Sequence, residues 1–120
     1  KEMNVVQPLL QFQSQLKLWH WMTKSFAQHE AFGDAYDALS GQIDEFVEVF
    51  FGRYGREALK DVNLGLKASV EDSTIITILI GMRNYFAGMD KDLKGATDLL
   101  ALRDDMLGEV NHLVYRLSLV

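Results

Sequence analysis

An all-α bundle of four helices is the fold this sequence predicts, on three observations. Apolar residues recur at steps of three and four through four separate stretches. The single proline stands at position 8, and the glycines gather mainly at Gly52 and Gly55, at Gly65, and at Gly88 and Gly95, where they mark breaks. No segment of alternating pattern offers a partner for a strand. At 120 residues the chain can bury one core but not two, so a single domain over residues 1–120 is expected.

The first helix is expected over about 8–22, with a lead-in turn from Asn4, because Leu9, Phe12, Leu16 and Trp19 share a face. Pro8 fits its first turn, where no amide donor is needed. "SFAQ" at residues 25–28 has the form of a capping box, in which Ser25 and Gln28 satisfy each other's backbone amides. The second helix should therefore run over about 26–55, burying Phe32, Tyr36, Leu39, Ile43, Phe46 and Phe50 and ending on Gly52 or Gly55 in a left-handed conformation. Residues 58–71 have no period and read as a connection. "TIITILI" suits a buried strand as well as a helix. A capping Asp72 or Ser73, and Met82, Tyr85, Phe86 and Met89 at helical intervals, decide for a third helix over about 73–88. The fourth, from near Gly95 to the C-terminus, carries Leu99, Leu102, Met106, Val110, Leu113 and Leu117. A second helix of about 42 Å requires a return, and 14 extended residues reach about 46 Å, so one long crossover can bring the chain back to the starting end.

Composition narrows the chemistry. Without cysteine there can be no disulfide, thiolate zinc site or cysteine nucleophile, so any metal must be held by histidine and carboxylate. Cysteine-free composition fits a cytoplasmic location. A net charge of −5 argues against nonspecific nucleic-acid binding. No apolar run approaches the roughly 20 residues of a membrane span, and "KEMNVVQPLL" lacks the pattern of a signal peptide. Phosphate loops, hydrolytic triads and basic stripes with interleaved aromatics are also absent.

The candidate chemistry lies on the second helix and the turn before it. His29, Asp37, Asp44 and Glu48 fall within about 100° of one another around the helix. Along its axis, however, His29 is about 22 Å from Asp44 and about 28 Å from Glu48, too far for one ion. A second copy resolves this. If two such helices cross antiparallel near residues 37 and 38, His29 of one chain comes level with Asp44 and Glu48 of the other. His20 returns over the turn toward His29, so each of two equivalent sites would combine two imidazoles with two carboxylates. Such a donor set suits iron, with zinc or manganese as alternatives. Asp44 and Glu48, one turn apart, repel each other unless a cation lies between them.

"HW" at residues 20–21, "FAQHEAF" and "IDEFVE" resemble the Dps proteins, a ferritin-like family whose ferroxidase sites take histidines from one subunit and carboxylates from the next. Residues 96–119 look like that family's last helix, and "FVEVFFGRYGR" looks still more like a group of short phage-encoded ferritin-like proteins. The resemblance implies a ferritin-like four-helix bundle with one long crossover. It also implies iron oxidation by dioxygen or peroxide at intersubunit sites, and storage in a cage. His20, His29, Asp44 and Glu48 would be ligands and Asp37 a supporting or substitute one. Three differences accompany it. The histidines are three residues closer together, Gly33 stands where the family has an aspartate ligand, and the link after the second helix is too short for the usual extra helix. Asp34 or Asp37 would have to replace the missing carboxylate, from directions about 100° and 40° away. A homodimer through the second helix is therefore expected rather than a cage, and without a lysine-rich tail DNA binding is not.

Three plainer readings compete. A histidine beside a tryptophan at a helix end is commonly a packed junction residue. "EVNH", Glu109 to His112, has the Glu-x-x-His form of di-iron bundles but occurs once where two copies are needed, so a surface patch with Asp105 and Arg116 is preferred. Trp19, Trp21, Phe26, Phe50 and Phe51 are expected to fill the core or an interface, and the rival to a metal protein is a metal-free bundle that only binds a partner chain.

Overall fold

The computed structural model describes residues 3–119, which form four helices and, among those residues, no strand. α1 spans Val6–Met22, α2 Phe26–Tyr54, α3 Asp72–Asp92 and α4 Thr97–Leu117. The ambiguous run in α3 is helical because Ile75, Leu79, Met82, Phe86 and Met89 form one buried stripe. Each such burial is worth about 1.5–3 kcal/mol. The helical penalty of a β-branched residue is only a few tenths of that, so packing decides the outcome. α3 also continues past Gly88, because Met89 is still buried. The chain turns at Gly95, whose φ of 87° favours glycine.

The caps follow the sequence with two changes. Neither Asp72 nor Ser73 caps α3: the helix already includes both, and Glu71 holds the capping position in an extended conformation with no side-chain cap bond. The other change lies before α2. Ser25 Oγ accepts the Gln28 amide at 3.2 Å, as a capping residue should. The Gln28 side chain does not return to Ser25. Its Oε1 accepts from Thr23 Oγ1 at 2.7 Å, and Thr23 Oγ1 accepts the Ser25 amide at 3.1 Å. A threonine two residues upstream thus replaces the reciprocal half of the capping box. α2 ends at Gly55, with φ of 88°.

Between α2 and α3 the chain runs extended along α1, and the match between the two is metric. Gln7 Nε2 donates to Asn63 O, Gln11 Oε1 accepts from the Gly65 amide, and Trp19 Nε1 donates to Ser69 O at 3.0 Å. Gln15, buried, donates to Lys67 O at 2.7 Å and accepts the Lys67 amide at 2.8 Å. Four helical residues rise about 6 Å and two extended residues about 6.6 Å, so a side chain every fourth residue of α1 meets every second residue of the strap. At its start, Glu57 Oε1 accepts the amides of Val5 and Val6 at 2.7 and 3.3 Å. α1 has no local side-chain cap, and this distant carboxylate supplies one.

The strap runs parallel to α1, so α3 begins where α1 ends. α1 and α4 point one way and α2 and α3 the other. Trp19, Phe32, Phe46, Phe50 and Phe86 are completely or almost completely buried at the centre. The expected α4 stripe is shifted at one position: Arg103, not Leu102, occupies the inward site. Its guanidinium remains satisfied, donating to Phe86 O at 2.7 Å and to the carboxylates of Asp104 and Asp90. The aliphatic stem fills the core position while the charged head reaches the rim. Among the described residues no helix is long and apolar enough to cross a membrane.

Candidate metal centre at the helix junction

The three-residue turn between α1 and α2 folds His20 and His29 against each other. Their rings are stacked, with centroids 3.9 Å apart and planes 17° from parallel. His20 Nδ1 lies 2.7 Å from His29 O, and His29 Nδ1 lies 2.9 Å from His20 O. A carbonyl oxygen can only accept, so both Nδ1 atoms carry the proton. A neutral ring so bonded is held in the tautomer whose Nε2 has a free lone pair, the arrangement that metal-ligating histidines adopt. His29 also serves locally, because the carbonyl it binds belongs to the last turn of α1, where no intrahelical donor follows.

The pair has a definite limit. An ion bound by imidazole lies near the ring plane about 2.0–2.1 Å from nitrogen. Two nearly parallel planes separated like these do not meet at such a distance. Each imidazole offers one donor, and the two do not converge on one ion.

Gly33, one turn beyond His29 on α2, faces the His20 ring. A Cβ there would stand 2.9 Å from both Cε1 and Nδ1 of that ring. No aspartate, or any other side chain, fits at position 33 with His20 in this place. The proposed substitutes divide: Asp34 is held by Arg116 of α4 at 2.6 Å, while Asp37 is exposed.

Asp44 and Glu48 are exposed farther along α2. A hydrogen bond and charge repulsion from Asp44, with a smaller contribution from desolvation, push the Glu48 carboxyl above the usual carboxylate range. Because the folded-state value is raised, the chain gains relative stability at low pH and loses it as pH rises through that value. Asp44→Asn is expected to raise the melting temperature at pH 7 and leave it unchanged below the carboxylate range, as thermal scans of the metal-free chain at several pH values will show. A variant no more stable at pH 7 would mean that the two carboxylates do not repel measurably. Asp44 stands at the rim of a groove of about 680 Å³ between α1 and α2, lined by Leu10, Gln13, Gly41 and Phe51 among others.

The other candidates fall into place more simply. Trp19 and Phe50 are core and Phe51 half-buried, but Trp21 is 67% and Phe26 76% exposed beside the histidines. Lys17 Nζ lies over the Trp21 and Tyr36 rings, at 5.5 and 4.6 Å from their centroids. Glu109 and His112 approach each other, at 3.8 Å, with His112 on the surface. Arg116, expected beside them, reaches Asp34 instead. Among the described residues of one chain, no three histidine, aspartate or glutamate side chains come together as a metal cage. Sequence reasoning named the histidines but missed their mutual stacking and the role of Gly33. The one available signal was a glycine in the interior of an otherwise strong helix, which calls for a packing reason. No curated protein matches the chain, and no solved structure does. Residues 20–117, which include both junction histidines and most of the bundle, match a family of unknown function (DUF5856), and the chain belongs to that family.

Proposed function

We propose that the protein binds a divalent metal, iron first and zinc or manganese as alternatives, at sites completed between two copies of the chain. His20 and His29 of one copy would each contribute Nε2 to an ion of its own, and Asp44 and Glu48 of the other copy the carboxylates, with Asp37 in support. The observation that carries this reading is the reciprocal pair of Nδ1–carbonyl bonds, which ties up Nδ1 of both imidazoles and leaves each Nε2 as the remaining ring nitrogen at a half-exposed corner. Bound iron would supply redox chemistry of the ferroxidase kind implied by the Dps resemblance. The carboxylates favour the more highly charged oxidised ion, and the junction orients the imidazoles.

Electrostatics links metal to assembly. The exposed face of α2 carries Glu30, Asp34, Asp37, Asp44, Glu45 and Glu48, against a single basic residue in that helix besides its histidine, Arg53. Two such faces repel, so pairing through α2 requires cations between them. Exposed Trp21 and Phe26 at the same corner support a subunit contact, and equally support the rival reading of a metal-free bundle that binds a different protein. Light scattering with metal analysis separates the two. The EDTA-treated chain is expected to be monomeric, and Fe(II) added without oxygen, or Zn(II) or Mn(II), should double its mass with metal retained through gel filtration. A chain that keeps one mass and retains no metal under all these conditions would end the metal reading.

A further inference from the structure

We propose that Gly33 is a positioning residue for His20: its missing side chain lets the imidazole lie against α2 and donate from Nδ1 to His29 O. The tautomer with a free Nε2 depends on that contact. Three observations support this role. A Cβ at position 33 would come within 2.9 Å of two ring atoms, closer than such contacts are found. The same ring edge carries the 2.7 Å bond to His29 O, so sliding the ring away breaks the bond that fixes its proton. Gly41, two turns farther along the same helix, has nothing within 4 Å of the place a Cβ would occupy, so α2 does not exclude side chains at its glycines in general.

A helix interior ordinarily disfavours glycine, so alanine at an open position stabilises. Gly33 therefore retains an unfavourable residue for the sake of the imidazole. Alanine at position 33 is expected to destabilise, and the position of the His20 ring proton distinguishes a lost tautomer from simple crowding.

The consequence for metal rests on the function proposed above, whereas the placement of the ring does not, and the experiment separates them. In the metal-free chain, long-range proton–nitrogen NMR is expected to show the His20 proton on Nδ1, and in Gly33→Ala to show it moved largely to Nε2. Gly41→Ala should raise the melting temperature by roughly 3–5 °C and Gly33→Ala should lower it. With His20→Ala already present, adding Gly33→Ala should raise it by roughly the Gly41 amount, because the ring is gone. Zn(II) affinity should fall at least tenfold in Gly33→Ala and stay unchanged in Gly41→Ala. If Gly33→Ala is as stabilising as Gly41→Ala, or leaves the His20 proton on Nδ1, the inference fails. If the wild type binds no Zn(II), Fe(II) or Mn(II), the metal reading fails while the NMR and melting results still decide for or against Gly33.

Discussion

Trp19→Ala will lower the stability of the protein by about 4 kcal/mol, the loss expected for truncating a buried aromatic residue. A domain of this size is held together by only about 5–15 kcal/mol, so the variant will be close to unfolding at ambient temperature. Two losses combine. The ring is fully buried and packs on Phe32 with centroids 5.3 Å apart, so alanine leaves a cavity at the centre of the bundle. Its Nε1 also holds the last rung of the strap, at Ser69 O. Trp19→Phe separates them. It keeps most of the ring volume and removes the donor, and should cost about 1–2 kcal/mol. Urea unfolding followed by circular dichroism will measure both. A cost below about 1 kcal/mol for Trp19→Ala would mean that the strap and core do not depend on this residue.

His29→Ala should remove the part of metal-dependent stabilisation that depends on the His29 Nε2 while leaving the chain folded. A ligand present at about 100 times its dissociation constant stabilises the wild type by about 2.7 kcal/mol. The variant retains α1 and α2 but loses one donor and the cap on His20 O, for a folding cost of about 1 kcal/mol. Glu48→Gln should behave alike toward metal, with no loss of folding. The decisive measurement mixes the two variants. If histidines and carboxylates come from different copies, a mixed dimer contains one site with both groups intact and one with neither. Equimolar mixing should then restore about a quarter of the His29-dependent sites. A site built within one chain would give no recovery, and that result would refute the intersubunit arrangement even if metal binds.

The helices were legible because their signals are local. Leu9, Leu16 and Trp19 on α1, and Phe32, Leu39, Ile43, Phe46 and Phe50 on α2, are buried as their spacing requires. Ser25 and Gly55 cap where their chemistry allows. Even the long crossover followed from helix length and chain reach. What escaped was contact between distant residues. Gln7, Gln11 and Gln15 repeat every four positions, but nothing in that repeat says that an extended strap will lie against them. Glu57 caps a helix more than fifty residues away. Arg103 occupies a core position because Asp90, Asp104 and a carbonyl of α3 are there to receive it.

The same division runs through the junction. Periodicity, turn residues and the absence of cysteine were enough to establish a helical bundle in which any metal would be held by histidine and carboxylate, since those properties depend on neighbours within one or two turns. Which way each imidazole faces, which carbonyl each Nδ1 meets, and what a side chain at position 33 would strike were settled only when α1 folded back on α2. A ring's environment is made by atoms from two helices, and their distance and angle are products of the packed core rather than of either segment alone.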